Sequence, residues 1–144
     1  MPAVEDWNRR IIEEFRANEG RVGGPFEGHP LLLLHHTGAR SGTERVNPLA
    51  YQKVGDVFAV FGSKAGAPTN PDWYHNLVSN PRAKVEVGTL TIEVVARVAG
   101  PDERERIWEE QKRQVPGFAE YERQTTRQIP IVLLEPLQHE AIRS

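Results

Sequence analysis

The 144-residue chain has no cysteine, which excludes disulfides, thiolate metal ligands and a cysteine nucleophile. No apolar run approaches the roughly 18 to 20 residues of a spanning helix; Leu31 to Leu34 is only a strand's worth. We therefore expect no integral membrane segment. An excess of basic charge is also missing: 18 Lys and Arg face 20 Asp and Glu, a net −2, so a general nucleic-acid binder is not expected. The amino terminus, MPAVEDWNRR, carries acids where a signal peptide carries a basic cluster and lacks an apolar centre. A cytoplasmic protein is the expectation.

What is present is one domain's worth of chain, at roughly 150 residues per domain. Val4, Trp7, Ile11, Ile12 and Phe15 recur at helical spacing, which predicts an amphipathic helix within residues 1–19. Its stripe needs a partner. Its acids Glu5, Asp6, Glu13 and Glu14 suit core packing better than peripheral contact with the inner face of a membrane, the other use of such a stripe. Residues 20–30 are too rich in Gly and Pro for regular structure.

Beyond this connector the period changes. Strands are predicted over residues 31–36, 44–52 and 57–62, joined by turn residues at 37–42 and 54–56, and again over 83–87 and 90–98 across Gly88-Thr89. A short helix, opened by Asn70 or Asp72 and stopped before Pro81, spans 71–80. Helices over 101–115 and 118–126 and a last strand over 129–134 complete the chain. The connections between consecutive strands are too short for parallel crossovers, so the fold class is mainly β (α+β), a small barrel of about six antiparallel strands.

Metal and nucleophile chemistry find little support. His35 and His36 point to opposite faces of one strand, and His29, His75 and His139 add no ligand spacing; no metal is expected, and His35 or His36 reads as a lining or satisfied core histidine. There is no G-x-S-x-G elbow, P-loop or G-x-G-x-x-G. The charge distribution is more informative. Residues 31–84 hold six basic side chains (Arg40, Arg45, Lys53, Lys64, Arg82, Lys84) against three acidic ones, while the rest of the chain is acidic. A positive centre in an acidic protein suggests a local anionic ligand. Two turns look like its seat: residues 37–45, whose glycines would let backbone N–H groups approach a ligand beside two arginines, and residues 62–66, with Lys64. Each is also what an ordinary polar turn looks like.

The run Leu33-Leu34-His35-His36-Thr37-Gly38-Ala39-Arg40-Ser41-Gly42-Thr43-Glu44-Arg45-Val46-Asn47-Pro48-Leu49, then Ser63-Lys64-Ala65-Gly66, Asn70-Pro71-Asp72-Trp73-Tyr74-His75-Asn76-Leu77 and Asn80-Pro81, resembles the deazaflavin-dependent nitroreductase family of actinobacteria. Arg127-Gln128-Ile129-Pro130-Ile131-Val132 looks like that family's terminal strand. The resemblance runs from about Pro30 to Pro136. It implies a split β-barrel related to the flavin reductases and pyridoxamine-phosphate oxidases, spanning residues 1–144 as a single domain. It also implies binding of reduced coenzyme F420 (8-hydroxy-5-deazaflavin) and hydride transfer to a quinone or another electron-poor acceptor. On the family pattern Arg40, Ser41 and Arg45 would hold the phosphate and glutamyl tail, and Asn47, Ser63, Lys64, Gly66, Asn70, Pro71, Trp73 and Tyr74 would frame the rest. The acceptor pocket would be lined by Ala50, Val115, Phe118 and Tyr121. Ser63 would bond the ring or the acceptor, and Tyr121 would give a proton to a developing oxyanion. Because Ala50, Val115 and Phe118 stand where nitro-reducing relatives carry tyrosines, quinones are expected over nitro compounds. Relatives occur as monomers and homodimers. The competing readings are a non-catalytic carrier of the deazaflavin or of a fatty-acid-like ligand, and an FMN-binding split barrel.

Overall fold

The computed structural model describes residues 2–23, 30–62, 70–125 and 128–137, with side chains from residue 8 onward. Helix α1 (Pro2–Ala17) precedes a meander of β1 (Leu31–Thr37), β2 (Glu44–Val54) and β3 (Val57–Phe61). Helix α2 (Asp72–Ser79) separates it from the hairpin of β4 (Arg82–Val87) and β5 (Leu90–Val98); α3 (Pro101–Gln114), α4 (Gly117–Gln124) and β6 (Ile131–Pro136) follow. The strands close into a barrel in the order β1-β2-β3-β6-β5-β4, every neighbouring pair antiparallel. This is the predicted barrel of six strands. Among the described residues no helix is long and apolar enough to cross a membrane.

Alternation sets which residues fill the barrel. Leu32 and Leu34 of β1, Phe58 and Val60 of β3, Val85, Val94, Val132 and Leu134 form one buried cluster, which Trp73 and Leu77 of α2 join. The residues between them point outward under helices. Leu31 and Leu33 lie beneath Ile11 and Phe15 of α1, and Ala59, Phe61, Ile131 and Leu133 pack with Ile107 and Trp108 of α3. Strands β1 and β6 are therefore covered on both faces, which is why each reads as an unbroken apolar run.

Two contacts fix the end of α1. Arg16 donates to Glu86 of β4 through Nε at 3.1 Å and Nη2 at 2.6 Å. Gly20, at φ +96°, lies so close to the β4–β5 turn that a Cβ there would stand 2.8 Å from the Gly88 Cα, a backbone atom that cannot give way.

Most boundaries fall within two residues of expectation, and three of the differences have a visible cause. Helix α2 is capped by Pro71 in extended conformation, with no side-chain cap bond, so neither Asn70 nor Asp72 opens it; Asp72 is its first helical residue. Strand β6 starts two residues later than predicted, because Ile129 is buried with α3 instead of pairing with β3. Strand β3 stops at Phe61, and the Gly62 N–H goes to the Pro130 carbonyl at 2.9 Å.

Candidate functional site

The β1–β2 turn gathers the predicted anion-binding side chains. Gly38 matters here: a Cβ built there would stand 2.6 Å from the Ser41 hydroxyl, so the bare glycine leaves the room that Ser41 uses, with the Arg45 Nε alongside at an ordinary contact distance of 3.8 Å. Arg40, Ser41 and Arg45 are all exposed. Two guanidiniums and a hydroxyl over one turn suit a phosphate or carboxylate group.

The backbone, however, does not form the expected nest. The Gly38 N–H donates to the Thr43 carbonyl (2.9 Å), Gly42 to the Gly38 carbonyl (3.0 Å), Thr43 to Ser41 Oγ (3.1 Å) and Ala39 to Asn76 Oδ1 (2.9 Å). Amides already donating within the protein are not offered to a ligand. Recognition at this tip therefore does not run through the glycine amides and rests mainly on the side chains.

Beneath the turn lies a buried polar chain. His36, 2% exposed, sits between Asn47 Oδ1 (2.7 Å from Nε2) and Asn76 Nδ2 (3.0 Å from Nδ1). Because the Ala39 N–H can only donate, it fixes Asn76 with Oδ1 toward the turn and Nδ2 toward the histidine. Nδ1 then accepts, and Nε2 carries the proton that goes to Asn47. A second proton on Nδ1 would face an amide NH2. His36 is thus the satisfied core histidine that the sequence suggests. Burial pushes its imidazole below the ordinary range and the Arg45 and His35 charges add to this, against the opposing effects of the Asn47 bond and Asp72.

A pH dependence of stability follows. Below about pH 6.5 the unfolded chain takes up a proton at His36 more readily than the folded protein does, so stability falls as pH drops through that value, by at most about 1.4 kcal/mol per pH unit. In urea titrations at about pH 7.5 and about pH 5.5, the loss should be smaller for His36→Gln than for the unaltered protein. Equal losses would contradict this assignment.

His35, on the opposite face, lies between Glu44 Oε2 (2.9 Å) and Glu86 Oε2 (2.6 Å). Both carboxyls are held below the usual carboxylate range, Glu44 chiefly by His35 and Glu86 chiefly by Arg16. This cluster ties α1, β1, β2 and β4 together. It was not legible from spacing.

The other predicted positions divide into groups. Asn47 is committed to His36, and Trp73 is a core residue, 5% exposed. Pro71 is buried, whereas Asn70 and Tyr74 are half-buried, with Tyr74 packed against the barrel core. Ser63, Lys64 and Gly66 lie outside the described residues. Phe118 and Tyr121 stack edge to face, 5.3 Å between centroids, and Phe118 packs on Phe61 and Trp108. Val115 ends α3 beside them. Ala50 is apart, on the outer face of β2 under α1 with Ile12 and Val46. The next outward residue, Gln52, donates to the Ile107 carbonyl and to Gln111 Oε1, both at 3.1 Å, and so links the Ala50 strand to the helix that leads into Val115. Sequence reasoning missed both glutamines. Among the described residues, no three or more His, Asp or Glu are grouped as a metal site requires.

Comparison with known proteins gives the family and the fold. Residues 7–136 match the family model described as F420H(2)-dependent quinone reductase. An F420H(2)-dependent quinone reductase of Mycobacterium tuberculosis is 36% identical over 124 residues, 83% of each chain. The solved structure of an F420-H2 dependent reductase superposes with a TM-score of 0.68 at 36% identity, over 74% of this chain and 94% of that one. Another, described as a domain-swapped dimer, gives 0.69 at 33% identity, over 91% and 98%. A Listeria innocua structure described as a pyridoxamine 5'-phosphate oxidase, 12% identical with a TM-score of 0.55 over 90% and 93%, shares the fold alone. With the family model covering nearly the whole described barrel, this chain belongs to the F420H(2)-dependent quinone reductase family, a family of oxidoreductases.

Proposed function

We propose that this protein oxidises reduced coenzyme F420 with a quinone as acceptor, the coenzyme's anionic tail lying on the β1–β2 turn. The observation that carries the placement is the convergence of Ser41 and Arg45 on the space beside Gly38, with Arg40 on the same turn. That donor set fits a polyanionic tail better than it fits a neutral ligand. When bound, reduced F420 supplies a hydride from its deazaflavin ring, so the chain itself has to bind, orient and shield. Arg40 and Arg45 fork onto anionic oxygens, and Ser41 adds a hydroxyl. Asn70 and Tyr74 border the remainder, and on the family pattern Ser63, Lys64 and Gly66 would do so too. Val115 and Phe118 offer apolar surface to the acceptor, whereas Ala50 lies apart from them under α1. The family name and these apolar positions both favour a quinone over a nitro compound.

Titration of the protein with F420, with FMN as control and absorbance as readout, tests the coenzyme assignment. F420 should saturate and FMN should not; saturation by FMN alone would favour the flavin barrel, and binding of F420 without turnover would favour the carrier.

Tyr121 is assigned the proton for the acceptor oxygen. General acid assistance is worth about 10²- to 10⁴-fold, but water reaches a partly open site, so Tyr121→Phe should lower kcat by only about tenfold or somewhat more. Affinity for F420 should stay unchanged. An unaltered kcat with a slow quinone would make Tyr121 a packing partner of Phe118 and nothing else.

A further inference from the structure

We propose that Asn76 is a positioning residue for coenzyme binding: its side-chain amide clamps the β1–β2 turn, and Arg40 and Arg45 with it, to α2. The proposal rests on the functional reading above, which puts the coenzyme's anionic tail on this turn.

Asn76 is 7% exposed and lies between Trp73 and Leu77 on the helix that joins the barrel core. An amide there costs stability unless its hydrogen bonds are made. Both ends are used. Oδ1 accepts the Ala39 N–H at 2.9 Å, and Nδ2 donates to His36 Nδ1 at 3.0 Å, which passes the link through Nε2 to Asn47 of β2 at 2.7 Å. One side chain thereby joins α2, both strands of the hairpin and the turn between them.

The turn depends on this link because its other described bonds close on itself: Gly38 to Thr43, Gly42 to Gly38 and Thr43 to Ser41. Among the described residues, the bond from Ala39 to Asn76 is what ties the turn to an element outside its own hairpin. Ala39 directly precedes Arg40. A freed turn would let both guanidiniums sample more orientations, and the ordering lost before binding would have to be recovered during it. Asn76 therefore acts through Arg40 and Arg45 and touches no reacting atom.

Two variants test this. Asn76→Ala removes the clamp, and Ala39→Pro removes the donor at an exposed turn position. The first readout needs no coenzyme: amide hydrogen exchange should rise at the turn in both variants while the barrel strands stay protected. The second is the F420 titration, in which both should bind about 10- to 100-fold more weakly, the size expected for a displaced charge-assisted contact. At saturating coenzyme kcat should stay within about twofold, which separates positioning from chemistry. The double variant should bind no more weakly than Asn76→Ala, since both changes break one link. Unchanged F420 affinity in a folded Asn76→Ala protein overturns the proposal, as does a lost kcat with affinity retained. If the unaltered protein fails to bind F420, the functional reading falls and the proposal with it; if it binds and the variants bind equally well, the proposal falls alone.

Discussion

Replacing both Arg40 and Arg45 with alanine is expected to weaken F420 binding by about 10²- to 10³-fold at low salt. On the proposed placement each guanidinium makes a charge-assisted hydrogen bond, a contact worth about 1.5 to 3 kcal/mol. The sum is discounted because the two are neighbours on one turn and couple. Both side chains are exposed, so the electrostatic part is screened as ionic strength rises. The gap between unaltered protein and variant should therefore narrow between about 0.01 M and about 0.15 M salt, where the Debye length shrinks from roughly 30 Å to roughly 8 Å. Arg40→Lys and Arg45→Lys should recover only part of the loss, since an ammonium keeps the charge without the planar fork. Isothermal titration of the folded variants checks this. A double variant that binds as the unaltered protein does at low salt would put the anionic seat elsewhere.

The largest effect on stability is expected at the centre of the barrel. Leu34 is fully buried among Leu32, Val60, Val85 and Leu134, with α2 against the same cluster. Leu34→Ala removes three carbons from a site where strands on both sides limit collapse into the cavity. A cost of about 3 to 5 kcal/mol is expected, comparable with the low end of the roughly 5 to 15 kcal/mol by which whole domains are stable. Urea unfolding should show a lower midpoint with an unchanged slope. Leu90→Ala is the comparison: Leu90 is 63% exposed, and its loss should fall within about 0.5 kcal/mol of zero. Equal costs at the two leucines would mean that the barrel interior is not the core that holds the fold.

Much of this barrel was legible because its signals are local. Alternation marks β4 and β5, and turn residues at Gly55 and Gly88, both with positive φ in the structure, separate the strands they were expected to separate. Where the reading slipped, a tertiary contact decided. Ile129 looks like a strand residue, yet packing against α3 takes it out of β6. The site shows the same division. Turn chemistry singles out Arg40, Ser41 and Arg45; Ser41 and Arg45 lie beside Gly38, and Arg40 is exposed on the same turn. The glycines beside them suggested free amides, but Gly38 and Gly42 donate to carbonyls of the turn itself, which composition does not reveal. Asn76 stands out in the sequence only as part of a motif. A polar residue between Trp73 and Leu77 on a short helix reads as solvent-facing until its partners at His36 and Ala39, far away in sequence, are known. A polar residue at core spacing in a helix was the one available signal.

The central claim is that this chain passes reducing equivalents from reduced F420 to a quinone. Its most direct measurement is the oxidation of reduced F420 under anaerobic conditions with menadione as acceptor, followed by the return of the oxidised coenzyme's absorbance. The account predicts turnover that saturates in both substrates, exceeds that with a bicyclic nitroimidazole and collapses in the Arg40→Ala, Arg45→Ala double variant at low coenzyme concentration. Reoxidation no faster than in the absence of protein, or equal rates when reduced FMN replaces F420, would contradict it.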